Sequence, residues 1–81
     1  MMDMNNSIER KDVIKKEARG LNDADLGEVQ EVTQDNVITK AGVVDKETYC
    51  IPKSLVEGYD GHNLLFRATK EEAENMYKTK D

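Results

Sequence analysis

The chain has 81 residues, of which 17 are acidic and 12 are basic, and this gives a net charge of −5. A chain of this length forms at most one small domain, which buries only about 60% of its unfolded surface, so an enclosed substrate pocket would remove core that it needs. The charges are interspersed and acidic overall, which makes nucleic acids and anionic membrane surfaces poor partners.

Cysteine content and the charges near the N-terminus indicate the compartment. Cys50 is the only cysteine, so no disulfide can form within the chain, whereas small secreted scaffolds normally carry several. Charged residues interrupt the N-terminal segment, and no apolar run is long enough for a signal-peptide core or a membrane span. The sequence therefore predicts a cytoplasmic protein without direct membrane insertion.

Apolar residues divide the chain into three parts. Leu, Ile, Val and Phe together number 17, and 16 of them lie between positions 12 and 68. We therefore expect a disordered N-terminal arm over residues 1–11 and a folded domain over residues 12–68. Residues 69–81 are expected to form a charged C-terminal helix and tail.

The first predicted element is a strand over residues 13–19, and the segment after it is ambiguous. Leu26, Val29 and Val32 recur every three residues, which would suit a helix. Gly27 and the β-branched valines oppose a helix. We therefore predict a strand here, in which a bulge or burial of both faces at one end absorbs the odd spacing.

Further strands follow along the chain. Residues 37–40 have the strongest β-propensity, and residues 47–51 form the next strand. Pro52 ends that strand, because proline cannot donate a ladder hydrogen bond. Residues 53–58 are short and amphipathic, and we expect one helical turn there. Residues 63–68 form the last strand. Alternation places Tyr49 with Ile51 on one face, and Leu64, Phe66 and Ala68 on another, and we expect these faces to point to the interior.

Thr69 is expected to begin a C-terminal helix, since Glu72 stands three residues later as a capping box requires. Ala73, Met76 and Tyr77 share one face of this helix. Short strands would leave exposed edges in an open sheet, and closure removes them. The sequence therefore predicts a mainly β fold, a small and strongly bent β-barrel of about five strands with a short C-terminal α-helix.

No combination of residues predicts catalysis, a cofactor or a metal. His62 is the only histidine and lies in a predicted turn. Asp23, Asp25 and Gly27 resemble the start of a calcium loop, but the glycine and glutamate that such a loop needs further on are missing. Cys50 has no nearby histidine or second cysteine, so we expect a small apolar side chain. The sequence thus predicts no enzyme, no catalytic residues and no bound cofactor.

Strand alternation leaves apolar side chains on the face away from the interior. Val44, Cys50 and Leu65 point outward, together with either Val37 or Ile38. A contiguous apolar group of this kind is typical of an interface. These residues therefore form a candidate interface, and the protein is expected to be a homodimer. The alternative is that the C-terminal helix covers the group within one chain.

Four segments occur in a characteristic order, and they are residues 25–32, 37–39, 49–57 and 60–66. The first contains a Gly-x-Val motif, and the third contains the sequence Ile-Pro-Lys. In this order and spacing they resemble the PRC-barrel family, which is named after the cytoplasmic barrel of a photosynthetic reaction-centre subunit. The resemblance covers residues 12–68 and implies a small, bent β-barrel without enzymatic activity.

The resemblance also implies a class of partner. Barrels of this family act as protein-interaction modules, and short stand-alone archaeal members are associated with cell division machinery. A self-associating adaptor in a cytoplasmic assembly of that kind is therefore expected. The alternative is a factor in ribosome or RNA maturation, because the barrel of one ribosome-maturation factor binds a ribosomal protein.

Overall fold

The computed structural model describes residues 10–42 and 46–79. Its strands are β1 (Glu17–Arg19), β2 (Asp25–Val32), β3 (Asn36–Ala41), β4 (Glu47–Pro52), β5 (Val56–Tyr59), β6 (Asn63–Phe66) and β7 (Lys78–Thr79). Its helical segments are α1 (Arg10–Val13), 3₁₀ turns at Leu21–Asp23 and Lys53–Leu55, α2 (Lys70–Glu72) and a π-helical turn (Ala73–Tyr77). The fold is therefore mainly β, as predicted.

All seven strands belong to one sheet, in the order β5-β6-β1-β2-β3-β4-β7. Neighbouring strands run antiparallel except β1 and β6, which are parallel. Within the described residues the sheet does not close on itself, because β5 stands at one end and β7 at the other. The predicted mainly β fold with a short C-terminal helix is confirmed, whereas the sheet has seven strands instead of about five and the strand pairings do not close a barrel.

One apolar cluster packs on one face of this sheet and takes side chains from the six strands β1 to β6. Val13 of α1 and Ala73 of the π-helical turn complete it. The side chains predicted to face the interior are all buried: Tyr49, Ile51, Leu64, Phe66 and Ala68.

Two bulges explain the three-residue spacing of apolar side chains in β2. The register against β1 shifts between Asp25 and Glu28, so that Leu26 and Val29 both reach the core. The register against β3 shifts again just after Val29, and Val32 is half-buried beside the core. The prediction of a strand with a bulge is therefore confirmed, and each bulge absorbs one residue of the odd spacing.

Three segments differ from the prediction. Residues 10–13 form the helical turn α1, so β1 begins only at Glu17. Helical structure after Pro52 covers residues 53–55 alone, because residues 56–59 pair with β6 as strand β5. β7 lies in the segment expected to be helix and tail. Residues 1–9 of the expected N-terminal arm lie outside the described part of the chain.

The C-terminal helix begins with the predicted capping box. The backbone N–H of Glu72 donates to Thr69 Oγ1 over 3.0 Å, and the N–H of Thr69 donates to Glu72 Oε1 over 2.9 Å. Ala73 is buried and Tyr77 is half-buried, but Met76 is 65% exposed, so the three residues do not share one face as predicted. A π-helical turn closes over more residues than an α-helical turn. The residue three positions after Ala73 therefore does not return to the same face.

Gly27 occupies a position in β2 that no other residue fits. Its φ is 96°, and an added Cβ would meet the backbone carbonyl of Lys40 on β3. We predict that Gly27→Ala lowers the free energy of unfolding by about 2–4 kcal/mol, because the positive φ and the clash both cost energy. Gly58→Ala is the control, since a Cβ there meets open space. Equal urea midpoints for the two variants would contradict this.

Thr39 carries the buried polar side chain of β3. It is fully buried, and its Oγ1 donates to the carbonyl of Leu26 over 2.7 Å. Thr39→Val keeps the shape but removes the donor, and we predict a loss of about 1–3 kcal/mol in the free energy of unfolding. Thr39→Ser keeps the hydroxyl and should retain more of the hydrogen bond's contribution. Thermal denaturation of both variants checks this, and a Val variant as stable as the parent would exclude it.

Candidate interaction surface

The structure places the candidate interface residues on separate parts of the sheet. Cys50 on β4 is half-buried and lies opposite Ile38 on β3, which is also half-buried. Of the two alternatives in β3, Ile38 is therefore the one on the outer face, because Val37 is fully buried. Val44 lies outside the described residues.

Leu65 lies far from this pair. It is half-buried on β6, where its neighbours across the sheet are Arg19 on β1 and Gly58 on β5. Three strands stand between β6 and β4, so Leu65 and Cys50 are about 19 Å apart along the sheet. The structure joins Cys50 to Ile38 but does not bring Leu65 into the same patch.

β4 is the most regular strand of the sheet. It pairs with β3 through six consecutive residue pairs without a register shift. On the side facing away from β3, which we call the β4 edge, β7 pairs only with Thr48 and Tyr49. Most of this strand therefore has no ladder partner on its second side among the described residues.

Residues 69–79 cover the β4 edge, and we call them the C-terminal latch. The π-helical turn of the latch packs on β4, and Ala73 enters the core. Lys70 Nζ donates to the backbone carbonyl of Asp25 over 3.0 Å and lies 5.3 Å from the centroid of the Tyr49 ring. The latch is thus attached to β2 at its beginning and to β4 at its end.

Tyr49 and Glu47 form the polar part of this attachment. The Tyr49 hydroxyl donates to Glu47 Oε1 over 2.9 Å, and Lys78 Nζ lies 3.2 Å from Glu47 Oε2. These two partners hold the pKa of Glu47 below its usual range. Burial and the hydrogen bond to the Glu47 carboxylate raise the pKa of Tyr49 far above that of a free phenol. The network therefore consists of a carboxylate, a neutral phenol and an ammonium group.

The polar groups of the turn between β5 and β6 serve local structure. His62 is exposed in the turn between β5 and β6, as predicted, and its N–H donates to Asp60 Oδ1 over 2.8 Å. The N–H of Asn63 donates to the same oxygen over 2.7 Å, and the two bonds lower the pKa of Asp60. In the part of the chain that the structure describes, no three His, Cys, Asp or Glu side chains come together as a metal site would need.

A polar groove of about 390 Å³ opens on the outer face, lined by Glu28, Gln30, Lys40, Gly42 and Lys46. The Gln30 amide donates to Glu28 Oε1 over 2.9 Å. Of the described lining residues, none places a nucleophile next to a base. Separately, none of the helices in residues 10–42 and 46–79 has the length and apolar character needed to cross a membrane.

Comparison of the chain with protein-family models, curated proteins and solved structures found no match. The surface is therefore defined by its own geometry, which sequence reasoning located only in part. It identified Cys50 but missed the latch contacts at Glu47 and Lys78. The alternation that places Glu47 two residues before Tyr49 on one strand face was a usable signal for half of the network. Nothing in the sequence indicated the partner, Lys78.

The Tyr49 hydrogen bond gives a prediction for the titration of Glu47. Tyr49→Phe removes the donor, so the pKa of Glu47 should rise toward its usual value, while the pKa of Asp60 in the distant turn stays unchanged. Because the fold lowers the pKa of Glu47, its carboxylate stabilises the fold at pH values above the unfolded-state pKa. This stabilisation is lost as the pH falls through the folded-state pKa. Carboxyl ¹³C NMR titrations measure both groups. An identical Glu47 pKa in the two proteins would contradict the hydrogen bond.

Proposed function

We propose that this protein is a non-catalytic protein-interaction module that self-associates and acts as an adaptor in a larger assembly. The observation that carries the proposal is the β4 edge, the side of a six-residue strand without a register shift that is paired at only two residues among those that the structure describes. Unpaired N–H and C=O groups along a regular strand are a template for pairing with a strand of another chain.

The apolar pair beside this edge supports the same proposal. Cys50 and Ile38 are half-buried on the outer face of the two strands that lead to the edge. The core on the other face is already filled by one cluster, so these two side chains are not needed for it. A partner strand added to β4 would remove more of their surface from water.

The opposite end of the sheet is less suited to strand pairing. β5 has four residues and contains a register shift between Val56 and Gly58. The N–H of Val56 is already bonded to the carbonyl of Lys53 in the preceding 3₁₀ turn. Short length and a bulge are the usual protections of an edge strand against pairing. The proposal therefore concerns β4 and not β5.

The wider assignment rests on the resemblance to PRC-barrel proteins. A mainly β sheet packed on one small core is compatible with that family, and a cytoplasmic location and a partner in cell division machinery are parts of the proposal. The net charge of −5 supports a protein partner over a nucleic acid, because phosphates would repel the surface.

Sedimentation equilibrium tests the proposal. The native chain of 9.2 kDa should dimerise at micromolar to hundreds of micromolar concentration. Cys50→Lys should weaken the dimer at least about ten-fold, because lysine on an edge strand opposes pairing. Leu65→Lys is the matched control, since Leu65 is also half-buried but lies on an interior strand.

Two results would contradict the proposal. One is a native chain that sediments as a monomer at hundreds of micromolar. The other is a dimer that Leu65→Lys weakens as much as Cys50→Lys, since association would then not depend on the β4 edge.

A further inference from the structure

We infer that a second copy of this chain pairs with the β4 edge, antiparallel and about a two-fold axis at Cys50, when the C-terminal latch leaves that edge. The inference rests on the proposed function, because it names the partner of the same edge, the register of pairing and the segment that blocks it. Its basis is the alternation of side chains between the two faces of β4, the charges at the two ends of the strand and the few contacts that hold β7.

The faces of the strand restrict the register. Two copies form one continuous sheet only if residues that face the same side stand opposite each other, so the axis must pass through a residue and not between two. An axis at Tyr49 or at Cys50 places five residues of β4 opposite residues of the second copy, and in the Cys50 register Thr48 lies opposite Pro52, which has no N–H and contributes only its carbonyl. The axis at Tyr49 would place Glu47 against the apolar Ile51 of the second copy.

The axis at Cys50 gives better pairs. Tyr49 then lies opposite Ile51 of the second copy, twice by symmetry, and both residues belong to the buried face of the sheet. Aromatic and β-branched residues are a favourable cross-strand combination. Each Cys50 lies opposite the other on the outer face, next to Ile38 of its own chain.

The charges at the ends of β4 fit this register. If the register is extended by one residue at each end, Glu47 at the start of β4 lies opposite Lys53 of the second copy, the residue that follows the strand. The pair occurs twice in the dimer. In the monomer the Glu47 carboxylate is bonded to Lys78 of the latch, so release of the latch exchanges one lysine partner for another. The carboxylate is left with a cationic partner in both states.

Apart from the buried Ala73 and the Lys70 hydrogen bond to Asp25, the contacts that hold the latch are few. β7 contributes two residue pairs, and the Lys78–Glu47 ion pair has side chains 44% and 34% exposed. Ion pairs this exposed contribute little to stability. The helical part of the latch spans residues 70–77, which is shorter than a helix that is stable on its own. The latch therefore opens at lower cost than the sheet, and it competes with the second copy for β4.

Disulfide trapping by the thiol oxidant diamide tests the register in the full-length chain. Opposed Cα atoms in an antiparallel ladder lie about 4.5–5.5 Å apart, within the range that a disulfide spans. The native chain should form a covalent dimer through its single cysteine. Moving that cysteine to β6, with Cys50→Ser and Leu65→Cys together, should reduce trapping to the level of random collision.

Charge variants test the latch. Lys78→Glu should increase the rate of trapping roughly two- to five-fold, because it replaces an exposed attraction by a repulsion. Arg67→Glu is the control, since it breaks the exposed ion pair with Glu57 near the other end of the sheet. Lys53→Glu in an otherwise native chain should decrease trapping, because it places a second carboxylate opposite Glu47 in the dimer and leaves the latch unchanged. This variant still tests the inference if Lys78→Glu unfolds the chain.

The outcomes separate the inference from the proposed function. A dimer in sedimentation that diamide does not trap through Cys50 would overturn the register and leave self-association intact. Trapping that neither Lys78→Glu nor Lys53→Glu changes would overturn the exchange of partners at Glu47. A chain that stays monomeric in sedimentation and is not trapped would overturn both.

Discussion

Burial of Tyr49 is the constraint on which the rest of this small structure depends. Its ring is fully buried in the cluster, but its hydroxyl still requires a hydrogen-bond partner. Glu47 accepts that hydrogen bond and is itself paired with Lys78. Satisfying one phenol therefore fixes the end of the C-terminal latch against β4. Lys70 approaches the same ring from the beginning of the latch, so the whole segment is arranged around one side chain.

The sheet formed by the described residues is open. A closed barrel has no edges, but an open sheet has two, and each must be protected. Here the β5 edge is short and bulged, whereas the regular β4 edge is covered by a segment from elsewhere in the chain. Protection by a separate segment is reversible, and protection by a bulge is not. The difference is why we assign interaction to β4 and regulation to the latch.

The sequence predicted what depends on local chemistry. The capping box at Thr69, the bulged strand around Val29 and the alternation of Tyr49 with Ile51 follow from neighbouring residues, and the structure contains all three. Features that depend on strand order were missed. Cys50 and Leu65 both face outward by alternation, yet they belong to strands that the topology separates. Alternation defines a face but not a neighbour, so a contiguous patch could not be inferred from it.

Other misses have the same origin. β5 forms because it pairs with β6, and β7 forms because β4 offers an edge, so neither carries a strong pattern of its own. Met76 is exposed because the helix widens into a π-helical turn where the latch packs against β4. Tertiary contacts decided each of these elements against the local preference.

Native-state hydrogen exchange tests the central claim that the latch opens separately from the sheet. The N–H of Ala73, bonded to the carbonyl of Thr69, reports on the latch, and the N–H of Val29, bonded to the carbonyl of Lys16, reports on the sheet. We predict that Ala73 exchanges through an opening of lower free energy and weaker denaturant dependence than Val29. Exchange of both amides with the same free energy and the same denaturant dependence would show one cooperative unit and contradict the account.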